Sequence, residues 1–161
     1  MVYIGIDPGF ASGAFTIISN NEPGGKVIKC EDFEFYKNKG KKALNFGELH
    51  GALNPWRNRT VTVVLEQLAG RPNQSSSTGF KLGGGYYGIQ AVLQIIRVPF
   101  IIVTPAKWKK FYNLGSEKDD SRALATQFYP CIDLEKKKDE HRAESLLLAR
   151  YGMYLYGELK K

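Results

Sequence analysis

The sequence predicts an α/β protein: a mixed five-stranded sheet, three antiparallel strands followed by two parallel ones, flanked by helices. Three observations carry this. Short apolar or alternating runs, punctuated by turn residues, fill the chain from Val2 to Phe35. The later apolar runs are instead separated by segments with helical spacing. Strands joined by a hairpin pair antiparallel, whereas strands separated by a helix cross over and run parallel.

The elements follow in order. Val2 to Asp7 is apolar and stops at Pro8-Gly9. Ala14 to Ser19 is a second apolar run, and Asn20 to Gly25 is a turn. Val27 to Phe35 alternates in part, with Phe33 and Phe35 on one face and Glu34 on the other. Lys37 to Lys42 is expected as a basic loop, and Ala43 to Leu53 as a helix ended before Pro55. Thr60 to Glu66 is dense in β-branched residues, as a strand covered on both faces would be. Gln67 to Thr78 is expected as a polar loop. Gly79 to Arg97 is helical at its far end, with Gly83-Gly84-Gly85 breaking its start. Phe100 to Val103 is a short buried strand, and Trp108 and Phe111 sit on a short helix after Pro105. Helices over Asp119 to Tyr129 and Asp139 to Tyr156 complete the chain.

Composition narrows the function. The chain has 161 residues, 43% hydrophobic and 24% charged, which suits one globular domain over 1–161 and excludes wholesale disorder. No internal repeat or linker divides it. Cys30 and Cys131 have neither metal-ligand spacing nor a disulfide framework, which points to a reducing compartment. No apolar run reaches the roughly 18 residues of a membrane span, and Met1 to Ile6 reads as strand rather than signal peptide. A net charge of +7 suits a polyanion partner, although lysines also serve solubility.

The informative carboxylates are those at strand ends. Asp7 closes one apolar strand and Glu66 another. An acid there is desolvated and needs a cation or donors, and strand ends of parallel sheets are where sites form. If these two strands are neighbours, the two acids face one another, and a hard divalent cation such as Mg²⁺ or Mn²⁺ would hold them together. Alternatively, each caps a turn or pairs with a lysine.

The last helix opens Asp139-Glu140-His141-Arg142-Ala143-Glu144. Glu144 shares a helix face with both Glu140 and His141, while Asp139 points elsewhere. Asp139 and Glu140 also suit a helix N-terminus, and a single histidine is commonly a surface residue. Glu144 is less easily explained, because it precedes the apolar Leu146-Leu147-Leu148. Two strand-end acids with a ligand pair on this helix form a coherent two-metal site for phosphodiester hydrolysis.

These residues, in this order, resemble the RuvC family of Holliday junction resolvases, which have a ribonuclease H-like fold. The resemblance runs through Ile4-Gly5-Ile6-Asp7-Pro8-Gly9, Leu65-Glu66-Gln67, Val103-Thr104-Pro105 with Trp108-Lys109, Glu117 to Arg122, and His141 to Ala149. The Trp108-Lys109, Lys118 to Arg122 and Arg142 to Glu144 stretches, with the Gly-rich segment Gly79 to Gly88, are most similar to the plant chloroplast branch and phage relatives.

The resemblance implies a junction-resolving endonuclease with two Mg²⁺, replaceable by Mn²⁺, held by Asp7, Glu66, Glu144 and a fourth ligand. Bacterial spacing points to His141 for that ligand, and chloroplast spacing to Glu140. Lys118 matches a family lysine that contacts the scissile phosphate, though it would otherwise be a solvated loop residue. The aromatic that bacterial members carry after their Glu-Gln pair is replaced here by Leu68 and Ala69. Phe80, Tyr86 or Tyr87 would stack on bases instead, or pack locally. Candidate backbone contacts are Lys37, Lys39, Lys41, Lys42, Arg57, Arg59, Arg71, Lys81, Lys107, Lys109 and Lys110.

Paired cuts in a four-way junction imply a homodimer, with the helix around Ile89 to Ile96 as its surface. The expected partners are branched DNA and a second copy, with neither membrane nor small-molecule cofactor, in the cytoplasm of a prokaryotic or virus-infected cell, or an organelle if the chain is trimmed. A looser branched-DNA or flap endonuclease, or a non-catalytic junction-binding protein, are the alternatives on the same fold. A phosphotransferase of the actin and sugar-kinase kind would need two related domains and far more chain.

Overall fold

The computed structural model describes residues 1–9, 11–38, 40–70, 74–115, 118–157 and 159; the side chains of residues 38, 41 and 118 lie outside that description. Among the residues singled out above, Lys39, Arg71 and Glu117, and the side chains of Lys41 and Lys118, therefore lie outside the described residues.

Among the described residues, seven strands and five α-helices follow in chain order. Strands β1 (Val2–Asp7), β2 (Ala14–Ser19) and β3 (Lys26–Asp32) form a meander. A hairpin, β4 (Phe35–Asn38) and β5 (Lys41–Leu44), leads into α1 (Phe46–Leu53). Then come β6 (Val61–Glu66), α2 (Ser76–Ile95), β7 (Phe100–Val103), α3 (Pro105–Phe111), α4 (Lys118–Phe128) and α5 (Glu140–Leu155). Single 3₁₀ turns, Asn54–Trp56 and Lys137–Asp139, precede β6 and α5.

The main sheet has five strands in the order β3-β2-β1-β6-β7. β1 pairs antiparallel with β2 and parallel with β6, and β6 pairs parallel with β7. This is the mixed sheet expected from the sequence. β1, β2 and β6 are buried along their whole length, because helices cover both faces. One face packs Ile4, Ile6, Val63 and Leu65 on α1 and α2. The other packs Tyr3 and Val64 on α5, α4 and α3. β7 is an edge strand, and Ile102 on it is exposed rather than buried.

Three local expectations are corrected. The third strand stops at Asp32, so Phe33 lies between strands and Phe35 opens a hairpin. Lys37 and Lys42, expected in a basic loop, pair with each other across that hairpin, and Gly40 in its turn has the positive φ of 75° that a tight turn favours. The helix placed from Ala43 begins only at Phe46, where Asn45 accepts a hydrogen bond from the Glu48 amide.

Helix α2 is also longer than its glycines suggest. It runs unbroken through Gly83-Gly84-Gly85 and takes in the end of the expected loop. Each glycine costs a helix about 1 kcal/mol relative to alanine. Burial of Tyr86, Ile89, Val92 and Leu93 outweighs that, and Ser75 caps the start by accepting from the Thr78 amide.

The packing of α5 on β1 positions the site. Strand residues alternate faces, so Tyr3, Gly5 and Asp7 all point toward α5. Tyr3 meets Gly152, and Gly5 lies against the Ser145 carbonyl and Ala149 amide, where any Cβ would collide with backbone. Two strand residues advance about 6.8 Å, close to the roughly 6 Å of four helical residues. The next step down places Asp7 beside His141 and Glu144.

Candidate metal centre

The acids converge at the carboxyl ends of the parallel strands. In the β1–β6 register Ile6 lies opposite Leu65, so Asp7 and Glu66 end adjacent strands. Asp7, Glu66 and Glu144 each offer an oxygen, and these lie within 4.8 Å of one another. All three residues are buried, at 4%, 6% and 7% exposure.

Other side chains hold the group together. His141 Nδ1 lies 2.6 Å from Asp7 Oδ2. The Trp108 indole N–H donates to Glu66 Oε1 at 2.9 Å. The Lys109 ammonium lies 2.7 Å from Glu144 Oε1, and Ser121 Oγ donates to the same oxygen at 3.3 Å. α3 reaches the site because it starts where β7 ends, with Thr104 accepting from the Lys107 amide and Pro105 in the first turn.

The electrostatics follow from burial. Glu66 is pushed up to about 8, first by burial and then by the charges of Asp7 and Glu144, against the indole N–H of Trp108. Burial and Asp7 also raise Glu144, against Lys109. The hydrogen bond to Asp7 raises His141. Lys109 is raised as well: burial works against its charge, but Glu144 outweighs it.

Three carboxylates crowded into a buried corner resist being ionised together. The donor set is hard oxygen, matching a divalent cation of the Mg²⁺ or Mn²⁺ kind rather than a thiophilic metal. The residues therefore fit the metal expected from the sequence.

The remaining candidates divide. Among the described residues, the mutually close ligand group contains neither His141 nor Glu140; His141 touches it through Asp7. Glu140 is half-buried and bears electrostatically on His141 and Glu144. Asp139 is committed elsewhere, accepting from the Lys136 amide and pairing with Arg142.

Lys109, counted among the DNA contacts, is in the acidic site instead. Lys81, Lys107 and Lys110 are exposed, as are Phe80 and Tyr87, at 83% and 70%. Tyr86 is buried against the sheet and so is not free to stack on a base. Ile89, Val92, Leu93 and Ile96 are likewise core residues, so the face proposed for dimerisation is already occupied within the chain. The opposite face of α2 is the exposed one.

Trp108 and Lys109 are functional candidates whose contacts sequence reasoning missed. The available signal was positional: a capped helix starting at the carboxyl end of a parallel strand lies at the same end of the sheet as the acids.

A mixed sheet of this order, covered by helices on both faces, is the ribonuclease H-like fold. Several solved structures that share the fold are Holliday junction resolvases. Thermus thermophilus RuvC, solved with its Holliday junction substrate, matches over 98% of this chain and 96% of its own, at 15% identity and a TM-score of 0.71. The fowlpox virus resolvase matches over 97% and 99%, at 16% identity and 0.59. The yeast mitochondrial resolvase matches over 96% and 81%, at 17% identity and 0.50. The sequence matches no protein-family model and no curated protein.

Proposed function

We propose that this chain is a structure-specific endodeoxyribonuclease that resolves four-way DNA junctions by paired, metal-dependent phosphodiester hydrolysis. The observation that carries this is the convergence of Asp7, Glu66 and Glu144 at the strand ends of a fold shared with Holliday junction resolvases. The motifs around Trp108-Lys109, Lys118 to Arg122 and Arg142 to Glu144 support a place near the plant chloroplast and phage branch.

Asp7, Glu66 and Glu144 would hold Mg²⁺, or Mn²⁺ in its place. Two such ions, when bound, supply Lewis acidity at the attacking water and at the leaving 3′ oxygen. His141 orients the Asp7 carboxylate and is the fourth ligand in preference to Glu140. Lys109 offsets the charge of Glu144 and presents an ammonium beside the reacting phosphate. Lys118 is assigned the scissile phosphate by resemblance.

α2 is the crossover helix between the parallel strands β6 and β7, which puts its N-terminal turns toward the site's end of the sheet. Phe80 there would stack on an unpaired base, and Lys81, Lys107 and Lys110 would contact phosphates, as would Arg71 on its charge alone. Homodimerisation uses the outward stripe Gly84, Tyr87, Ala91 and Ile95, spaced along one face of α2.

The test is a cleavage panel of four-way junction, Y-fork, flap and linear duplex with Mg²⁺. Symmetrical nicking of the junction alone is expected. Equal cutting of all four would overturn the junction assignment.

A further inference from the structure

We propose that Trp108 is a positioning residue for the acidic site, holding Glu66 by its indole N–H and Lys109 by its ring face. The inference rests on the assignment of Asp7, Glu66 and Glu144 as a divalent-metal centre.

Trp108 is wholly buried, packed among residues of α4 and α5 and edge-on to Tyr112, with ring centroids 6.4 Å apart. Its one polar atom donates to Glu66 Oε1 at 2.9 Å. An indole nitrogen can only donate, so it engages one oxygen and leaves Glu66 Oε2 for other partners. It carries no charge, so it fixes the carboxylate without competing with an arriving cation.

The ring has a second use. Lys109 Nζ lies 5.2 Å from the ring centroid of Trp108 and 2.7 Å from Glu144 Oε1. A cation over an indole face is attracted to it. One immobile side chain thus sets Glu66 directly and Glu144 through Lys109. These are two of the three carboxylates, and they arrive from different elements, β6 and α5. Glu144 has Ser121 Oγ as a further donor at 3.3 Å, whereas the indole N–H is the hydrogen bond shown for Glu66 among the described residues.

Partners that orient metal ligands typically govern affinity by about 10- to 100-fold. The experiment therefore reads metal binding as well as cutting. Trp56 is the second tryptophan, so the Trp56→Phe variant assigns the two indole N–H resonances in a ¹H–¹⁵N spectrum. Titration of the intact protein with Mg²⁺ alone is expected to move the Trp108 signal with the affinity seen by calorimetry, and to leave the Trp56 signal in place. Trp108→Phe keeps a ring for Lys109 but removes the donor. It is expected to weaken Mg²⁺ binding by about tenfold and to lower kcat while leaving junction Kd unchanged.

Mg²⁺ that binds by calorimetry without moving the Trp108 signal would overturn the proposal and leave the metal centre standing. If Trp108→Phe does not fold, that titration decides alone. Failure of the unaltered protein to bind Mg²⁺ would overturn the metal centre itself, and this inference with it.

Discussion

Lys109 Nζ sits 2.7 Å from Glu144 Oε1, so a lysine expected on the DNA-facing surface instead neutralises an acid inside the site. Glu144 is buried while Lys109 is about one-third exposed, which places the pair between a surface bridge and a buried one. Lys109→Met should destabilise the metal-free protein by about 1–2 kcal/mol, since it strands a buried carboxylate. Saturating Mg²⁺ should shrink that difference, because a cation then takes over the charge. Urea denaturation with and without Mg²⁺ checks both statements.

The metal-free protein should lose stability as pH rises from about 5 to 8. Glu66 and Glu144 are raised above the ordinary glutamate value, Glu66 to about 8, mainly by burial. His141 is raised above 6.5 by Asp7. Each group then binds more protons folded than unfolded within this window, so each contributes a falling stability with increasing pH. Asp119 is lowered by Arg122, and Asp139, against its burial, by Arg142; their effects belong below about pH 4. Thermal melts in chelator should show the decline, and Glu66→Gln should reduce it. Mg²⁺ should stabilise increasingly toward pH 8, because binding displaces protons. A melting temperature that rises from pH 5 to 8 in chelator would contradict the electrostatic picture.

Gly5→Ala should be among the most damaging substitutions of an uncharged residue. Its Cβ would collide with the backbone of Ser145 and Ala149, which cannot move without lifting α5 off β1. A loss of about 3 kcal/mol or more is expected. Any folded remainder should cut poorly, because α5 carries His141 and Glu144. Urea denaturation and junction cleavage on the same preparation measure the two losses.

The outward face of α2 should separate association from chemistry. Tyr87 and Ile95 are each 70% exposed and lie along one stripe of the helix. Ile95→Lys should convert a dimer to a monomer in light scattering while leaving the melting temperature within a few degrees, since the residue is largely exposed. A protein that is monomeric before substitution would refute the dimer.

Much of the site was legible because strand-end acids violate the hydrophobic pattern around them. Asp7 and Glu66 stand out after Gly5-Ile6 and Val64-Leu65, and Glu144 stands out before three leucines. The sheet was legible because hairpin spacing and helical spacing dictate opposite pairings. The hairpin at Lys37 to Lys42 was hidden by its charge: hydrophobicity marks strands that bury a face, and Lys37 and Lys42 bury little. The continuity of α2 was hidden because its glycines are tolerated through packing from distant elements. Tyr86 and Tyr87 are neighbours in sequence with opposite fates, and only the direction of the helix toward the sheet decides which is buried. The contacts of Trp108 and Lys109 depend on where β7 delivers α3, which no local pattern records.

The most direct measurement compares the unaltered protein with Asp7→Asn on a four-way junction in Mg²⁺, scoring binding and strand cleavage separately. The account predicts that the variant binds the junction as tightly, yet cuts at least roughly 10³-fold more slowly, a barrier increase of about 4 kcal/mol. Cutting by Asp7→Asn at the unaltered rate would contradict it.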